Sequence, residues 1–297
     1  MDRAYITSSP FWGFLMRFYK NKGAFIALIL LLFIFIAVLI GPHVYTVDPY
    51  ALDIKAKNQY FSWKHVLGTD NLGRDILAQL LIGGRISLAV GIVSMMISVF
   101  IGIIVGICAG YYPKLDGLLM RITDLFLALP LLPLLLLVMM LFRDLLRAFC
   151  GPELGVFILI VSVIGITSWM NTARIVRGDV LFIKNREFII AAISSGVREH
   201  RIILKHLLPN IISSIIVSAI LSIAEAIITE SALSFLGFGF PSDFPTWGRL
   251  LHDGTTFFQV YPYRVLYPGC IISLTIFSIN YIGMTISNQM DSLNSVH

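Results

Sequence analysis

Six stretches of this chain are long and apolar enough to cross a bilayer, and that feature excludes most folds at once. A spanning helix needs about 20 mostly apolar residues. The candidates run over 24–41, 86–110, 118–142, 154–173, 209–236 and 265–287. In lipid a backbone must satisfy its own N–H and C=O groups, which points to helices. The sequence therefore reads as an all-α integral membrane protein with six transmembrane helices. Composition agrees: 13% of residues are charged, where a soluble domain carries about 25%. The net charge of +5 reports topology before anything else, and no nucleic-acid partner is expected. Cys108, Cys150 and Cys270 form no close-spaced motif and suggest neither a disulfide framework nor a metal site.

The chain divides into an N-terminal segment 1–23, a first span 24–41, an outer loop 42–85, a membrane unit 86–288 and a tail 289–297. Basic residues precede the first span, as in a signal peptide. The run is longer than a signal core and no A-x-A site follows it, so it reads as a retained span. An even number of spans puts both termini on one side. With that side cytoplasmic, 13 of the 22 Lys and Arg residues fall inside and 9 outside, the bias expected of inner-membrane topology. Seven of the 13 lie in one loop, 174–208.

The chain has no G-x-x-x-x-G-K-[ST] phosphate loop, no H-E-x-x-H pair and no Ser, His and acid set placed for nucleophilic chemistry. It is not expected to be an enzyme or to hold ATP, a metal or another cofactor. No internal repeat of the secondary-transporter kind is evident.

The spans carry particular marks. Gly102, Gly106 and Gly110 recur every four residues, a face that lets another helix approach closely. Pro130 and Pro133 each remove a helix hydrogen bond and bend the third span. In the fifth span Ser214, Ser218, Ser222, Glu225 and Thr229 share one helix face. Glu230 points ~140° away from Glu225 at about 100° per residue. Thirteen Ile, Leu, Val or Phe residues between Ile211 and Leu236 contribute about −4 to −8 kcal/mol toward insertion. Two central acids oppose that by about 5 to 7 kcal/mol. The sums nearly cancel, so the polar face should meet protein or water. Two readings stand: a translocation path lined by the Ser, Glu and Thr stripe with Glu230, or hydrogen bonding between helices.

The basic loop is half apolar. Ile189, Ala192 and Ile193 share a helical face, Gly196 permits a stop, and a second short helix follows with Arg198, Arg201 and Lys205 on one side. Pro209 suits the start of the fifth span. Physics alone allows an interfacial helix on anionic lipid. The small residues Ala191, Ala192, Ser194, Ser195 and Gly196 also make a low knob suited to a partner's groove. Two outer segments complete the reading. "GTDNLGRD", with Asp and Thr caps, reads as a surface helix, and the Gly- and Pro-rich 237–264 as an outer loop or a re-entrant cap.

"AAISSG…ILKHLLPN" resembles the E-A-A loop of permease subunits in binding-protein-dependent ABC importers. "LGTDNLGRDIL", "LMRITDLFLALP", "ESALSFLGFG" and "PTWG" are similar to segments of the oligopeptide, dipeptide and nickel permeases, in the order of the second permease. The resemblance spans roughly residues 10 to 290. It departs at Ile190, where the family has its leading Glu; Glu187 lies one turn earlier. It carries over Ala191, Ala192 and Gly196 but not an acid at 190. It implies a type I ABC importer permease fold, with 86–288 as the permease domain. It also implies a second permease, two ATPase subunits holding ATP and Mg, and an extracytoplasmic binding protein, with the loop helix seated on an ATPase in a bacterial inner membrane. Oligopeptides or dipeptides are the expected cargo. The rivals are nickel or another small solute, a stand-alone ion-coupled carrier using Glu225 and Glu230, and a membrane scaffold without transport.

Overall fold

The computed structural model describes residues 21–241 and 243–294, with side chains as far as Gln289. The expected segment 1–23 falls almost wholly outside these residues, as do the last three residues of the tail. Among the described residues the regular structure is helical, and a lone bridge pairs Thr69 with Asp75. Five stretches have the length and hydropathy to cross a bilayer, and a sixth is a pair of helices bent by 84°.

Helix α1 (Lys22–Val44) starts where the Asn21 side chain accepts hydrogen bonds from the amides of Gly23 and Ala24. Pro42 lies inside it and cannot donate to the carbonyl four residues back, that of Val38. Arg85 of the next helix replaces the donor, its Nε 3.0 Å from Val38 O. A guanidinium is thus placed where a proline has left an orphan carbonyl.

Helix α2 (Ile76–Tyr111) begins ten residues before the apolar window at 86. Asp75 caps it by accepting from Ala78 N at 2.8 Å, and Arg85 is accommodated on α1, so its charge does not delay the helix. The loop read as 42–85 therefore ends at Asp75. At 1.5 Å per residue this helix of 36 residues is about 54 Å long, well beyond the ~30 Å hydrocarbon core. "GTDNLGRD" is a turn rather than a surface helix. Gly68 and Gly73 both have φ of +80°. The Asp70 carboxylate accepts from Leu72 N, Arg74 N, Arg74 Nε and Gln79 Nε2, so local side-chain bonds displace helical ones. Tyr45 donates to Asp75 Oδ2 at 2.7 Å. Burial first, and the Asp75 carboxylate second, push this phenol up to about 12, so it remains a donor at any physiological pH.

The third span is not one rod. Helices α3 (Pro113–Ala128) and α4 (Leu131–Cys150) meet at 84°. Pro130 stands at the corner, and Leu129 is extended as a residue before proline prefers. The span read as 118–142 is thus two helices covering 113–150. Helix α5 (Pro152–Thr167) and helix α6 (Trp169–Lys184) are separated only by Ser168 (φ −117°, ψ 0°). The span read as 154–173 runs on to Lys184. Arg174 and Arg177 belong to it because they pair with Asp124 and Asp116 of α3. The basic loop accordingly starts at Asn185, not at 174.

Helix α7 (Glu187–Ser194) and the short α8 (Glu199–Ile202) form the loop. A π turn, Ile203–Leu207, runs directly into α9 (Leu208–Phe235). The Leu208 amide bonds to Ile203 O, an i to i−5 step just ahead of Pro209, which has no amide hydrogen to offer. The expected second loop helix is therefore continuous with the fifth span. Helix α10 (Trp247–Thr255) is capped by Thr246, which accepts from Arg249 N, and α11 (Tyr263–Asn294) closes the bundle.

The glycine face of α2 is buried against α6. A Cβ at Gly102 would stand 2.6 Å from Thr172 Cβ, at Gly106 2.7 Å from Val176 Cβ, and at Gly110 2.7 Å from Val180 Cβ. Gly178 on α6 faces open space instead. Gly106→Ala is expected to destabilise the protein by about 1–3 kcal/mol through overpacking. Gly178→Ala should instead be neutral or stabilising by up to ~1 kcal/mol. Thermal unfolding of the two variants in the same detergent checks the opposite signs.

Candidate functional site

The polar stripe of α9 divides between two environments. Ser218 is buried and shares a 2.7 Å hydrogen bond with Thr172 of α6. Ser222 is buried and Ser214 half-buried. Thr229 turns its hydroxyl back to Glu225 O at 2.8 Å. The Ser218 end of the stripe thus holds helices together, which is one of the two readings the sequence left open.

Glu225 has a different setting. It lines a cavity of ≈ 80 Å³ together with Phe126, Leu129, Thr167, Ser168 and Asn171. These residues come from the two helix breaks. Leu129 sits in the α3–α4 corner, and Ser168 is the residue between α5 and α6. Phe126 and Trp169 meet edge to face with centroids 6.1 Å apart, joining the two breaks in one wall. Each break ends one helix and starts another, leaving main-chain groups free of intrahelical partners. Non-helical backbone at membrane depth is tolerated where it borders a cavity. The Glu225 carboxylate makes no hydrogen bond or ion pair with any described group. The nearest charges along these elements, Asp124 and Arg174, are paired with each other.

Glu230 does not line an open path in this structure; it is 0% exposed. Ser87 donates to Glu230 Oε2 at 3.2 Å and Ser234 to Oε1 at 2.8 Å. Trp247 N donates in turn to Ser87 Oγ, and Trp247 Nε1 to Leu80 O. The junction is tight, for a Cβ at Gly248 would meet Ser231 Cα at 2.6 Å. The segments "ESALSFLGFG" and "PTWG" therefore meet at one point, where α2, α9 and α10 are joined. The helical turn separating the two acids turned Glu230 away from the cavity.

The loop is the second feature. Ile189 of α7 is fully buried with Ile202 and Leu207, against Val176 and Val180 of α6. Ala191, Ser195, Gly196, Arg198 and Arg201 are exposed and Ala192 half-buried. Gly196 has φ of +75°, and the Val197 amide reaches back to Ala192 O at 3.2 Å. This is a Schellman stop that L-residues disfavour. Ile190 is 52% exposed, with Phe188 and Ile193 exposed beside it. The loop is tied to the bundle by Lys184 Nζ to Tyr111 O at 2.6 Å and by Tyr112 Oη to Glu199 Oε2 at 3.2 Å.

This architecture has known counterparts. Residues 98–292 match the family described as binding-protein-dependent transport system inner membrane component. Residues 9–61 match the N-terminal transmembrane domain of oligopeptide transport permease C. The chain belongs to the binding-protein-dependent permease family. It is a membrane-spanning permease subunit of an ABC importer. It is 37% identical to an oligopeptide transport system permease protein of Haemophilus influenzae, over 93% of this chain and 86% of that one. It is 39% identical to a dipeptide transport system permease protein of Bacillus subtilis, over 93% and 83%. In fold it is similar to a chain of the MetNI methionine ABC transporter in an inward-facing form, with a TM-score of 0.54 over 70% of this chain and 94% of that one at 17% identity.

Sequence reading missed several residues that these geometries use. Thr167, Ser168 and Asn171 were passed over, although adjacent Thr167 and Ser168, followed one turn later by Asn171, interrupt an apolar run and are a signal of broken helix. Ser87, Thr172 and Tyr112 carry no local pattern and become visible only through their partners. If the Glu230 network holds the three helices, Glu230→Ala should lower stability by roughly 1–3 kcal/mol through orphaned donors, and Glu230→Gln by less. Thermal unfolding in detergent reads the order.

Proposed function

We propose that this permease imports short peptides as one half of a heterodimeric path. Two ATPase subunits drive it, and an extracytoplasmic binding protein supplies the cargo. The cargo class is supported by the relatives at 37% and 39% identity, which are oligopeptide and dipeptide permeases. The single observation that carries the coupling role is the exposed knob of Ala191 to Gly196, on a helix whose Ile189 is rooted in the bundle. A partner that grips such a knob moves the bundle with it. ATP and Mg belong to the ATPase subunits, and this chain hydrolyses nothing. The bias of Lys and Arg supports an inner-membrane orientation with both termini and the loop cytoplasmic. Lipid contacts the rest of the exterior.

The path runs past Glu225 at the two helix breaks, with the half-buried Ser214 and the buried Ser222 on the same face of α9. Transport follows from a population shift: ATP-bound partners favour one of two arrangements of the permease pair by binding it more tightly.

Purification of the tagged chain from its own host in mild detergent, followed by mass spectrometry, tests the assembly. A second permease and ATPase subunits are expected to co-purify. A chain recovered alone or as a homo-oligomer in several detergents would count for an ion-coupled carrier instead. A Cβ at Gly196 meets nothing within 4 Å, so substitution there acts through the +75° φ and through bulk on the knob. Gly196→Trp is expected to leave the complex assembled and hydrolysing ATP while peptide uptake falls at least about tenfold. Gly196→Asn, which tolerates the left-handed region, should retain most uptake. Normal uptake by the Trp variant would remove the loop from the mechanism.

A further inference from the structure

Among the described residues, the one carboxylate of the cavity, Glu225, has no hydrogen-bond or ion-pair partner. The Arg174 guanidinium near this wall is held by Asp124, and the carboxylate of Glu230, on the same helix, is enclosed by hydroxyl donors. Of the two acids of α9, Glu225 is the one that borders the cavity, opposite the two helix breaks. An acid within a span is costly unless something meets it, and among the described residues no side chain does. The other polar residues of the lining are Thr167, whose hydroxyl donates to Val163 O at 2.7 Å, Ser168 and Asn171. These are neutral oxygen acceptors in addition to their donors. A carboxylate in a cavity whose other polar residues carry neutral oxygens suits a compact, three-donor ammonium group. It lacks the imidazole or thiolate ligands that favour a soft or borderline metal ion, and the described residues contain no group of three His, Cys, Asp or Glu side chains that could hold one.

We propose that Glu225 is the transient counter-ion for an ammonium group of the cargo, with Asn171 and Ser168 supplying further acceptors. For a short peptide the ammonium present in every sequence is the α-amino terminus. The site would thus recognise what all peptides share and ignore their side chains. The contact has to be made and broken at each crossing, so a partly open cavity suits it better than an enclosed one. This assignment rests on the peptide-import reading and adds to it the chemical group that the membrane path recognises.

The test uses the complete transporter in proteoliposomes with saturating binding protein. Uptake per ATP hydrolysed is measured for trialanine and for N-acetyl-trialanine, in the wild type, Glu225→Gln, Glu225→Asp and Asn171→Ala. Glu225→Gln is expected to lower trialanine uptake about tenfold, the scale of one charged hydrogen bond, and to leave the acetylated peptide at its wild-type rate. Glu225→Asp should retain most of the free-amine uptake. Asn171→Ala should weaken it in the same selective sense. Equal loss for both peptides in Glu225→Gln, or wild-type trialanine uptake by that variant, would overturn the ammonium site. Wild-type vesicles that hydrolyse ATP yet import neither peptide would overturn the peptide reading beneath it.

Discussion

Hydrocarbon offers a polar group no hydrogen bond, so each one within the bundle has to find its partner in the protein or in a cavity. That constraint orders most of what is seen here. Pro42 removes the donor that Val38 O needs, and Arg85 crosses from α2 to replace it. Ser218 and Thr172 satisfy each other across α9 and α6. Glu230 gathers Ser87 and Ser234, and Ser87 also accepts from the Trp247 amide. Apart from the Ser234 bond, which lies within α9, each of these bonds also fixes the relative position of two helices that apolar packing alone would hold less specifically, because lipid tails and Leu side chains are equally greasy.

The hydropathy of the chain made the helices and their number legible, since span length follows from bilayer thickness. It misplaced their ends for a consistent reason. A hydropathy window stops at a charge, whereas a helix stops when its backbone loses its partners. Arg85, Arg174 and Arg177 ended windows but not helices, because each finds a long-range partner. Pro130 was visible as a bend, yet its angle was not, because 84° depends on what α3 and α4 pack against. In the site, Glu225 and the glycine stop at Gly196 could be read from spacing and residue type. Of the Glu230 network, Ser234 lies one helical turn on, but Ser87 is 143 residues from Glu230 and 160 from Trp247, and no local pattern encodes those contacts.

The loop connects to the cavity through few, short links. Glu199 meets Tyr112, the residue between α2 and α3. From there α3 runs to the corner at Leu129, and Asp116 grips Arg177 of α6 with two bonds of 2.5 and 2.6 Å on the way. Helix α6 starts at the other break and ends at Lys184, which is fastened to Tyr111 O. Both helices that leave the loop region therefore arrive at the two breaks bordering Glu225. The close glycine packing of α2 on α6 makes that pair resist sliding. A displacement of α7 would then be taken up where the helices are already interrupted, at Ser168 and at Leu129–Pro130, rather than along their length.

Glu225 and Glu230 show how the same residue type on one helix takes two roles. They stand five positions apart, which is ~140° around the axis. That turn carries Glu230 into the join of α2 and α10, where Ser87 and Ser234 donate to it, and a buried acceptor with several donors rigidifies what surrounds it. It leaves Glu225 opposite the two breaks, where no described side chain supplies a donor. A carboxylate satisfied from within the chain holds a structure together. One left without such partners is available to a group that enters the cavity, which is the role proposed above for Glu225.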